Sequence, residues 1–164
     1  MFVLGHVGIT VRAAHAVDRR VDLRAAAVLA VIPDLLDKPV ALLFPSIVNE
    51  NTRGFGHTFL ASLLVLAVLA AFRRRFGSTL LLWACYLGHF ALDRMWMYDN
   101  PKVLFWPLMG PFPPALHGLA NGPLFMWNIY GELVGGALLL DWVVRRHLYR
   151  RREFAALWAT GRLP

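Results

Sequence analysis

The chain has 164 residues, of which 58% are hydrophobic and 16% are charged, and its formal net charge is +7. An average soluble domain carries roughly 25% charged residues, so a disordered chain and an ordinary soluble enzyme are both poor fits. The basic residues accompany no nucleic-acid-binding motif, so no nucleic-acid partner is expected. We therefore predict one integral-membrane helical domain over residues 1–164.

Five apolar segments follow one another along the chain, and their composition and spacing predict helices. The first, residues 3–17, is too short to cross a bilayer, which takes about 20 residues. The other four are predicted to cross it and cover residues 23–44, 54–72, 78–98 and 123–144. The predicted fold class is an all-α, polytopic membrane helical bundle of about four transmembrane helices plus a short N-terminal helix.

Arginine clusters border these segments and predict their orientation, because basic residues favour the cytoplasmic ends of membrane helices. The clusters are Arg19, Arg20 and Arg24, then residues 73–75, then residues 145–152. With these clusters inside, the chain is an inner-membrane protein with both termini cytoplasmic and with outward loops at residues 45–53 and 99–122. Residues 145–164 are predicted to form a basic, amphipathic cytoplasmic tail that lies on membrane lipids.

Ionisable residues within the apolar segments need a reason, because a charge in hydrocarbon costs at least about 2.5 kcal/mol. The sharpest case is the Gly-His-x-x-x-Asp motif of residues 88–93. His89 and Asp93 are four residues apart, so they share one helix face, where both can hold a metal ion. A buried ion pair between them, or pairing of Asp93 with Arg94, is the alternative.

Two further motifs carry the same kinds of ligand. Asp34 and Asp37 follow Pro33 at a spacing of three, and two carboxylates on one face repel unless a cation or proton lies between them. Alternatively, Asp34 is the N-cap of a helix that starts near Leu35.

In the second of these motifs, residues 53–58, His57 enters an apolar helix at its N-terminal end, which favours the neutral imidazole that binds metals. The alternative is a simple loop-to-helix junction with Thr58 as the cap.

The residues that these motifs contribute are predicted to converge at one level of the bundle. Cys85 is the only cysteine, so the ligands are nitrogen and oxygen atoms, which suit zinc or a harder ion such as manganese or magnesium. A proton or ion pathway uses the same residue types and is the alternative. Asn128 and Glu132 form another polar pair on one helix face, and an interhelical hydrogen bond is predicted for it. The role of His117 is open.

Five short motifs, in this order, resemble the family of membrane-bound metal-dependent hydrolases found in bacteria and archaea. They lie between residues 5 and 112: Gly-His at 5–6, Pro-Asp-x-x-Asp-Lys-Pro at 33–39, Arg-Gly-x-x-His-Thr at 53–58, Gly-His-x-x-x-Asp at 88–93, and Leu-Phe-Trp-Pro-Leu at 104–108. The ligand order is also similar to that of the zinc-dependent phospholipase C and single-strand nuclease superfamily, an all-helical fold with three zinc ions.

The likeness to this superfamily implies a set of ligands. Asp34, His57, His89 and Asp93 would surround one ion, and Asp93 would bridge to a second ion that His6 also ligates. The superfamily continues with a His-x-x-x-Glu helix for its third ion. This chain has Asn128 and Glu132 there, so the ligands of a third ion are incomplete.

The function expected from these observations is hydrolysis by metal-activated water of an ester, preferably a phosphoester, in a lipid-like or membrane-surface substrate. Asp37 is the candidate general base, or else an alternative or outer ligand of the metal. Arg53 and Arg94 are candidates for neutralising phosphate oxygens, although either can simply extend to the membrane interface. The alternative is a non-catalytic membrane protein, a transporter or a partner-binding subunit, with a structural or sensing metal site. No protein partner is identified.

Overall fold

A computed structural model describes residues 3–48, 51–72, 76–114 and 123–163. These residues form helices and turns with no strand among them, so the predicted all-α class is confirmed. The α-helices are α1 (Val3–Val17), α2 (Leu23–Leu43), α3 (Phe59–Phe72), α4 (Phe76–Leu92), α5 (Asn100–Leu104), α6 (Pro123–Arg145) and α7 (Arg151–Thr160), and two 3₁₀ turns lie at Pro45–Val48 and Phe55–His57. The arginines at 73–75 and His117 lie outside the described residues.

The prediction of a polytopic transmembrane bundle is wrong. In the described parts of the chain, no helix has both the length and the hydrophobicity that crossing a membrane requires. α3 and α4 have 14 and 17 residues, which makes them about 21 and 26 Å long, against a hydrocarbon core of about 30 Å. α2 and α6 are longer, but both carry several charged side chains. The sidedness predicted from the arginines depended on these crossings and is left without support.

α1 lies at the centre of the bundle. It packs against α6 on one side and against α2 and α4 on others, while α3 packs on α4 and on the turn Phe55–His57. The core between these helices contains Val11, Ala26, Leu29 and Leu82, which are all buried. This packing brings the start of α1, the second half of α2 and the end of α4 together.

The contact between α1 and α6 depends on two glycines. A Cβ atom added at Gly8 would overlap the carbonyl of Gly135, and one added at Gly135 would overlap the carbonyl of Leu4. Glycine is therefore needed at both positions for the helix backbones to meet.

The start of α1 is also held by α6. The carboxylate of Glu132 accepts hydrogen bonds from the backbone N–H groups of Leu4 (3.1 Å) and Gly5 (2.8 Å). The first N–H groups of a helix have no partner within the helix, so a carboxylate can accept hydrogen bonds from them. Its negative charge also interacts favourably with the positive end of the helix dipole. Glu132 thus makes an interhelical hydrogen bond, and it fixes the backbone next to His6.

α2 begins at an aspartate and continues through two prolines. The Asp22 side chain caps the helix by accepting from the N–H groups of Arg24 (3.0 Å) and Ala25 (3.3 Å). Because α2 runs unbroken from Leu23 to Leu43, Asp34 lies inside the helix, and the alternative that made it an N-cap is wrong. Asp34 and Asp37 are both buried on the side that faces the bundle.

Candidate metal centre

Four side chains from separate elements meet at one point in the bundle. Asp34 comes from α2, His57 from the 3₁₀ turn, His89 from the last turn of α4, and Asp93 follows α4 directly. Each offers one ligand atom, and the four atoms all lie within 4.8 Å of one another. The two imidazoles are fully buried, and the carboxylates are 7% and 9% exposed. These four residues, each predicted to ligate a metal, form a cluster that could hold a metal ion.

The distances within this cluster suit a small ion. The Nε2 atoms of His57 and His89 are 3.0 Å apart. Each lies 3.8–4.0 Å from Asp34 Oδ1 and from Asp93 Oδ2. Tetrahedral zinc with bonds of about 2.0–2.1 Å separates its ligand atoms by about 3.3–3.4 Å. Shifts of roughly half an ångström would therefore close these four atoms around an ion of that size.

Hydrogen bonds on the far side of each imidazole fix its tautomer. His57 Nδ1 lies 2.6 Å from Asp37 Oδ2, and His89 Nδ1 lies 2.7 Å from the carbonyl oxygen of Ala30. Both partners are acceptors, so both Nδ1 atoms carry a hydrogen, and each ring presents an Nε2 lone pair to the cluster when it is neutral. Two lone pairs 3.0 Å apart repel unless a cation or a proton lies between them. Metal-ligating histidines are typically oriented by such outer hydrogen bonds.

The electrostatics of the cluster favour a positive charge between the carboxylates. Burial would lower the pKa of His57, but hydrogen bonds with Asp37 and Asp93 outweigh it and raise that pKa. Burial and the neighbouring His6 and His57 lower the pKa of His89 to about 3. Burial would raise the pKa of Asp93, but hydrogen bonds from His57 and His6 hold it below its ordinary value. The centre therefore keeps Asp93 ionised and His89 neutral, which are the forms that bind metals, whereas the raised pKa of His57 favours a proton on its ring that a metal ion would have to displace.

Asp37 holds the turn that carries His57. Its carboxylate accepts hydrogen bonds from the N–H groups of Gly54 (2.7 Å), Gly56 (2.7 Å) and His57 (3.0 Å), besides the bond to the His57 ring. Four bonds occupy about all the lone pairs that a carboxylate has. Asp37 therefore orients the His57 ring and holds the backbone of its turn.

The turn approaches α2 so closely that it needs a glycine. A Cβ atom at Gly56 would lie 2.8 Å from the carbonyl oxygen of Pro33 and 3.1 Å from Asp37 Oδ1. Any other residue at position 56 would push the turn, and with it His57, away from α2.

His6 lies beside the four-atom cluster. Its Nε2 is 3.1 Å from Asp93 Oδ1, and its ring stacks on His89 with the centroids 3.8 Å apart. The side chain is fully buried, and among the described residues its Nδ1 has no hydrogen-bond partner. The two oxygens of Asp93 thus face different groups, Oδ2 the cluster and Oδ1 the imidazole of His6.

Two cationic side chains reach the carboxylates from the surface. Lys38 Nζ lies 2.6 Å from Asp34 Oδ2, and Arg53 Nε lies 3.4 Å from Asp93 Oδ2. Arg94, the other arginine predicted for the site, has its guanidinium 4.0 Å from the ring centroid of Trp127. Lys38 had no predicted role, although its spacing of four from Asp34 places both residues on one helix face.

Tyr86 is a supporting residue that sequence reasoning missed. Its hydroxyl donates a hydrogen bond to the carbonyl of Gly56, and its side chain is fully buried. It lies one turn before His89 on α4, so one helix supplies a ligand and also braces the turn that supplies another ligand. The tyrosine hydroxyl in the apolar second half of this helix was the available signal.

The chain matches one protein-family model, described as YdjM inner membrane protein, over residues 1–160. No curated protein and no solved structure gives a significant match. The family match supports the predicted inner-membrane location, and it carries no information on hydrolysis or on the zinc-dependent superfamily. Because the match covers almost the whole chain, the chain belongs to the YdjM inner membrane protein family.

Proposed function

We propose that the chain is a metal-dependent hydrolase of the inner membrane, with one divalent ion held by Asp34, His57, His89 and Asp93. The observation that carries the metal site is the convergence of four ligand atoms within 4.8 Å of one another, with both imidazoles oriented by a hydrogen bond behind the ring. Two imidazoles and two carboxylates suit zinc better than magnesium or manganese, because those ions prefer oxygen ligands.

The charges around the centre also fit a cation. The carboxylates of Asp34, Asp37 and Asp93 are buried, and two cationic side chains, Lys38 and Arg53, contact them. Among the described residues, the centre thus has three carboxylates and two cationic side chains when the imidazoles are neutral. Burying carboxylates is costly, so the added positive charge of a divalent ion would stabilise this arrangement.

A divalent ion at this position supplies a Lewis acid that can activate water for attack on an ester. Arg53 is the residue that we assign to the substrate: its side chain is 31% exposed, and its planar guanidinium suits two phosphate oxygens. Asp37 already accepts four hydrogen bonds, so we assign it to positioning His57 rather than to general-base catalysis. A direct role for Arg94 stays a prediction.

An apolar wall next to the turn supports a substrate with a lipid-like part. The rings of Trp106 and Phe112 stack with centroids 5.1 Å apart, and Phe55 meets Trp106 edge-on at 6.3 Å. Phe55 is two residues before His57 in the same 3₁₀ turn. A phosphoester with an apolar substituent would find a cation in Arg53 and an aromatic surface close by.

We assign His6 to orienting Asp93, and the alternative is a second ion shared by His6 and Asp93. The metal content distinguishes them: one ion per chain supports the first role, and two ions, falling to one in His6→Ala, support the second.

A non-catalytic metal site is the second candidate function, and one observation favours it. Four protein ligands complete a tetrahedral shell, which is typical of structural zinc, whereas catalytic zinc keeps one position open. In that case the ion would lock α2, α4 and the 3₁₀ turn together.

The test combines metal analysis with an activity screen. Detergent-purified chain is expected to contain zinc and to hydrolyse phospholipids or chromogenic phosphodiesters. Chelation should abolish the activity, and added zinc should restore it. Arg53→Gln should lower turnover with the metal content unchanged, whereas Asp93→Asn should lose both. Activity that survives chelation and Asp93→Asn would rule out the mechanism, and firmly bound metal without any activity would favour the structural site.

A further inference from the structure

The C-terminal helix α7 is fixed to the bundle by its backbone. Arg24 donates a hydrogen bond to the carbonyl of Trp158, and the N–H of Leu23 donates to the carbonyl of Gly161 (2.8 Å). Arg24 in turn pairs with Asp22 at 3.0 Å. The helix therefore keeps a defined orientation beside the start of α2, with one of its faces pointing outward.

The outward face of α7 combines arginines with large aromatic side chains. Arg151, Arg152, Phe154 and Trp158 are exposed, the last two by 54% and 68%. The two aromatic rings are four residues apart and stack with their centroids 6.5 Å apart. The opposite face, which contains Leu157, is half-buried against the bundle. The outward face is thus neither an ordinary charged surface nor a buried one.

This end of the molecule is strongly basic. Residues 145–163 contain six arginines and one glutamate. Two carboxylates at this end of the molecule already pair with other arginines, since Asp141 binds Arg12 and Arg145 and Asp22 binds Arg24. The exposed arginines of α7 outnumber its single carboxylate, Glu153, so this surface suits an anionic partner.

An apolar groove adjoins the same helix. It has a volume of about 590 Å³ and is lined on one side by Leu157 and Trp158 of α7 and on the other by Val11 and Trp142. The partner thus meets an anion-binding face and an apolar groove together. Phospholipids combine these two chemistries.

We propose that the outward face of α7 docks on the surface of an anionic phospholipid bilayer. Arg151 and Arg152 contact the lipid phosphates, and Phe154 and Trp158 lie among the headgroups, where aromatic rings are enriched. The groove beside the helix accepts part of an acyl chain. This inference is independent of the metal centre, because none of these residues belongs to it.

A fluorescent label on α7 tests the proposal. Ala155 is exposed on the outward face, so Ala155→Cys places an environment-sensitive fluorophore there. The natural Cys85 is buried and its pKa is raised to about 11 by that burial, so it competes poorly for the label. The full labelled chain is reconstituted into vesicles of phosphatidylcholine alone or of phosphatidylcholine mixed with phosphatidylglycerol.

The label is expected to move to a less polar environment only in the vesicles that contain phosphatidylglycerol. Replacing Arg151 and Arg152 by Gln should lower the ratio of docked to undocked helix about fivefold for each arginine removed. Replacing both by Lys keeps the charge and should preserve docking. Circular dichroism shows that each variant is folded. Equal responses to the two kinds of vesicle, no response to either, or an unchanged Gln variant would overturn the proposal.

Discussion

The metal centre and the glycine contact between α1 and α6 are neighbours in space but opposite in construction. His6 reaches Asp93 at the centre, and Gly8, two residues later, meets Gly135 of α6. The centre consists of side-chain atoms from residues far apart in the sequence, whereas the contact consists of backbone atoms with no side chain between them. Substitutions that remove ligand atoms are therefore expected to disrupt the centre, whereas substitutions that add side-chain atoms are expected to disrupt the glycine contact.

The two regions also differ in how they stabilise the fold. Burying carboxylates and imidazoles costs free energy that hydrogen bonds and an ion must offset, so the centre contributes to stability chiefly when it is complete. The glycine contact gains dispersion energy without any polar cost, so it stabilises the fold whether or not an ion is bound. Substitutions in each region should separate these contributions.

The largest effect is expected from His89→Ala. It removes one of the four ligands and leaves the other three without their partner. Structural zinc sites contribute about 10–16 kcal/mol of apparent binding free energy, so loss of a ligand is expected to weaken metal binding strongly. We expect the purified variant to lose its stoichiometric metal, as measured by elemental analysis. His15→Ala, which removes a histidine outside the cluster, is the matched control and should keep the metal. Full metal content in His89→Ala would show that the cluster is not the metal site.

The next largest effect is expected from Gly8→Leu, which forces side-chain atoms into the α6 backbone. Overpacking of this kind costs about 1–3 kcal/mol and sometimes more, and here the overlap is with backbone that cannot move aside. Denaturant unfolding should show the loss in the metal-free protein as well. The matched control is Gly136→Ala, whose Cβ would lie 3.8 Å from Leu4 Cδ1, in ordinary contact. If the free energy of unfolding falls equally in both variants, the close contact between Gly8 and Gly135 is not what stabilises the packing of α1 on α6.

A smaller effect is expected from Asp37→Asn, which leaves all four ligands in place. Loss of an outer hydrogen-bond partner typically weakens metal affinity 10–100-fold, and Asp37 also holds the backbone of the turn. Competition with a chelator of known affinity measures the change. Asp18→Asn removes a carboxylate outside the centre and should leave the affinity unaltered. An unchanged affinity in Asp37→Asn would mean that the turn positions His57 without this carboxylate.

The smallest effect is expected at Asp22, which lies outside both regions and provides a reference. The hydrogen bond with Arg24 lowers the pKa of Asp22 below its ordinary value of 3.8. Its ionised form therefore stabilises the fold above that pH, and the contribution disappears as the pH falls through the folded-state pKa. Asn also caps helices well, so Asp22→Asn should cost at most about 1 kcal/mol at neutral pH and nothing in strong acid. A difference that persists at low pH would contradict this account.

Helix positions could be predicted where they depend on local spacing. Residues 3–17 and 123–144 correspond to α1 (Val3–Val17) and to α6 (Pro123–Arg145). The segment 54–72 was predicted as one helix, but its first residues form a separate 3₁₀ turn. The reason is a contact from α2: Asp37 takes the N–H groups of Gly54, Gly56 and His57, and no local pattern encodes that.

The same effect explains the wrong membrane prediction. A count of apolar residues includes those that form a turn after a helix as if they belonged to the helix. Segment 78–98 therefore looked long enough to cross a membrane, although α4 ends at Leu92. Beyond that end, Arg94 adopts a positive φ of 54°, which breaks the helical path.

The ligands could be predicted because charged and imidazole side chains are rare in apolar segments. The hydrogen bonds that orient the histidine ligands could not be predicted. The partner of His89 is the backbone carbonyl of Ala30, and because every residue has a carbonyl, the sequence does not mark which one is used. The hydroxyl of Tyr86 was visible, but its target at Gly56 depends on how α4 packs beside the turn.

Asp37 binds both the His57 ring and the backbone beneath it, and this has a consequence for selectivity. The shape of the metal centre is set by the polypeptide, so the ordering entropy is lost during folding and not when the ion arrives. A preformed set of two imidazoles and two carboxylates discriminates between ions by the type and number of its ligands. Calcium, which needs six to eight oxygens at about 2.3–2.6 Å, does not fit this frame. An ion bound here would thus be selected by ligands that the fold arranges before the ion arrives.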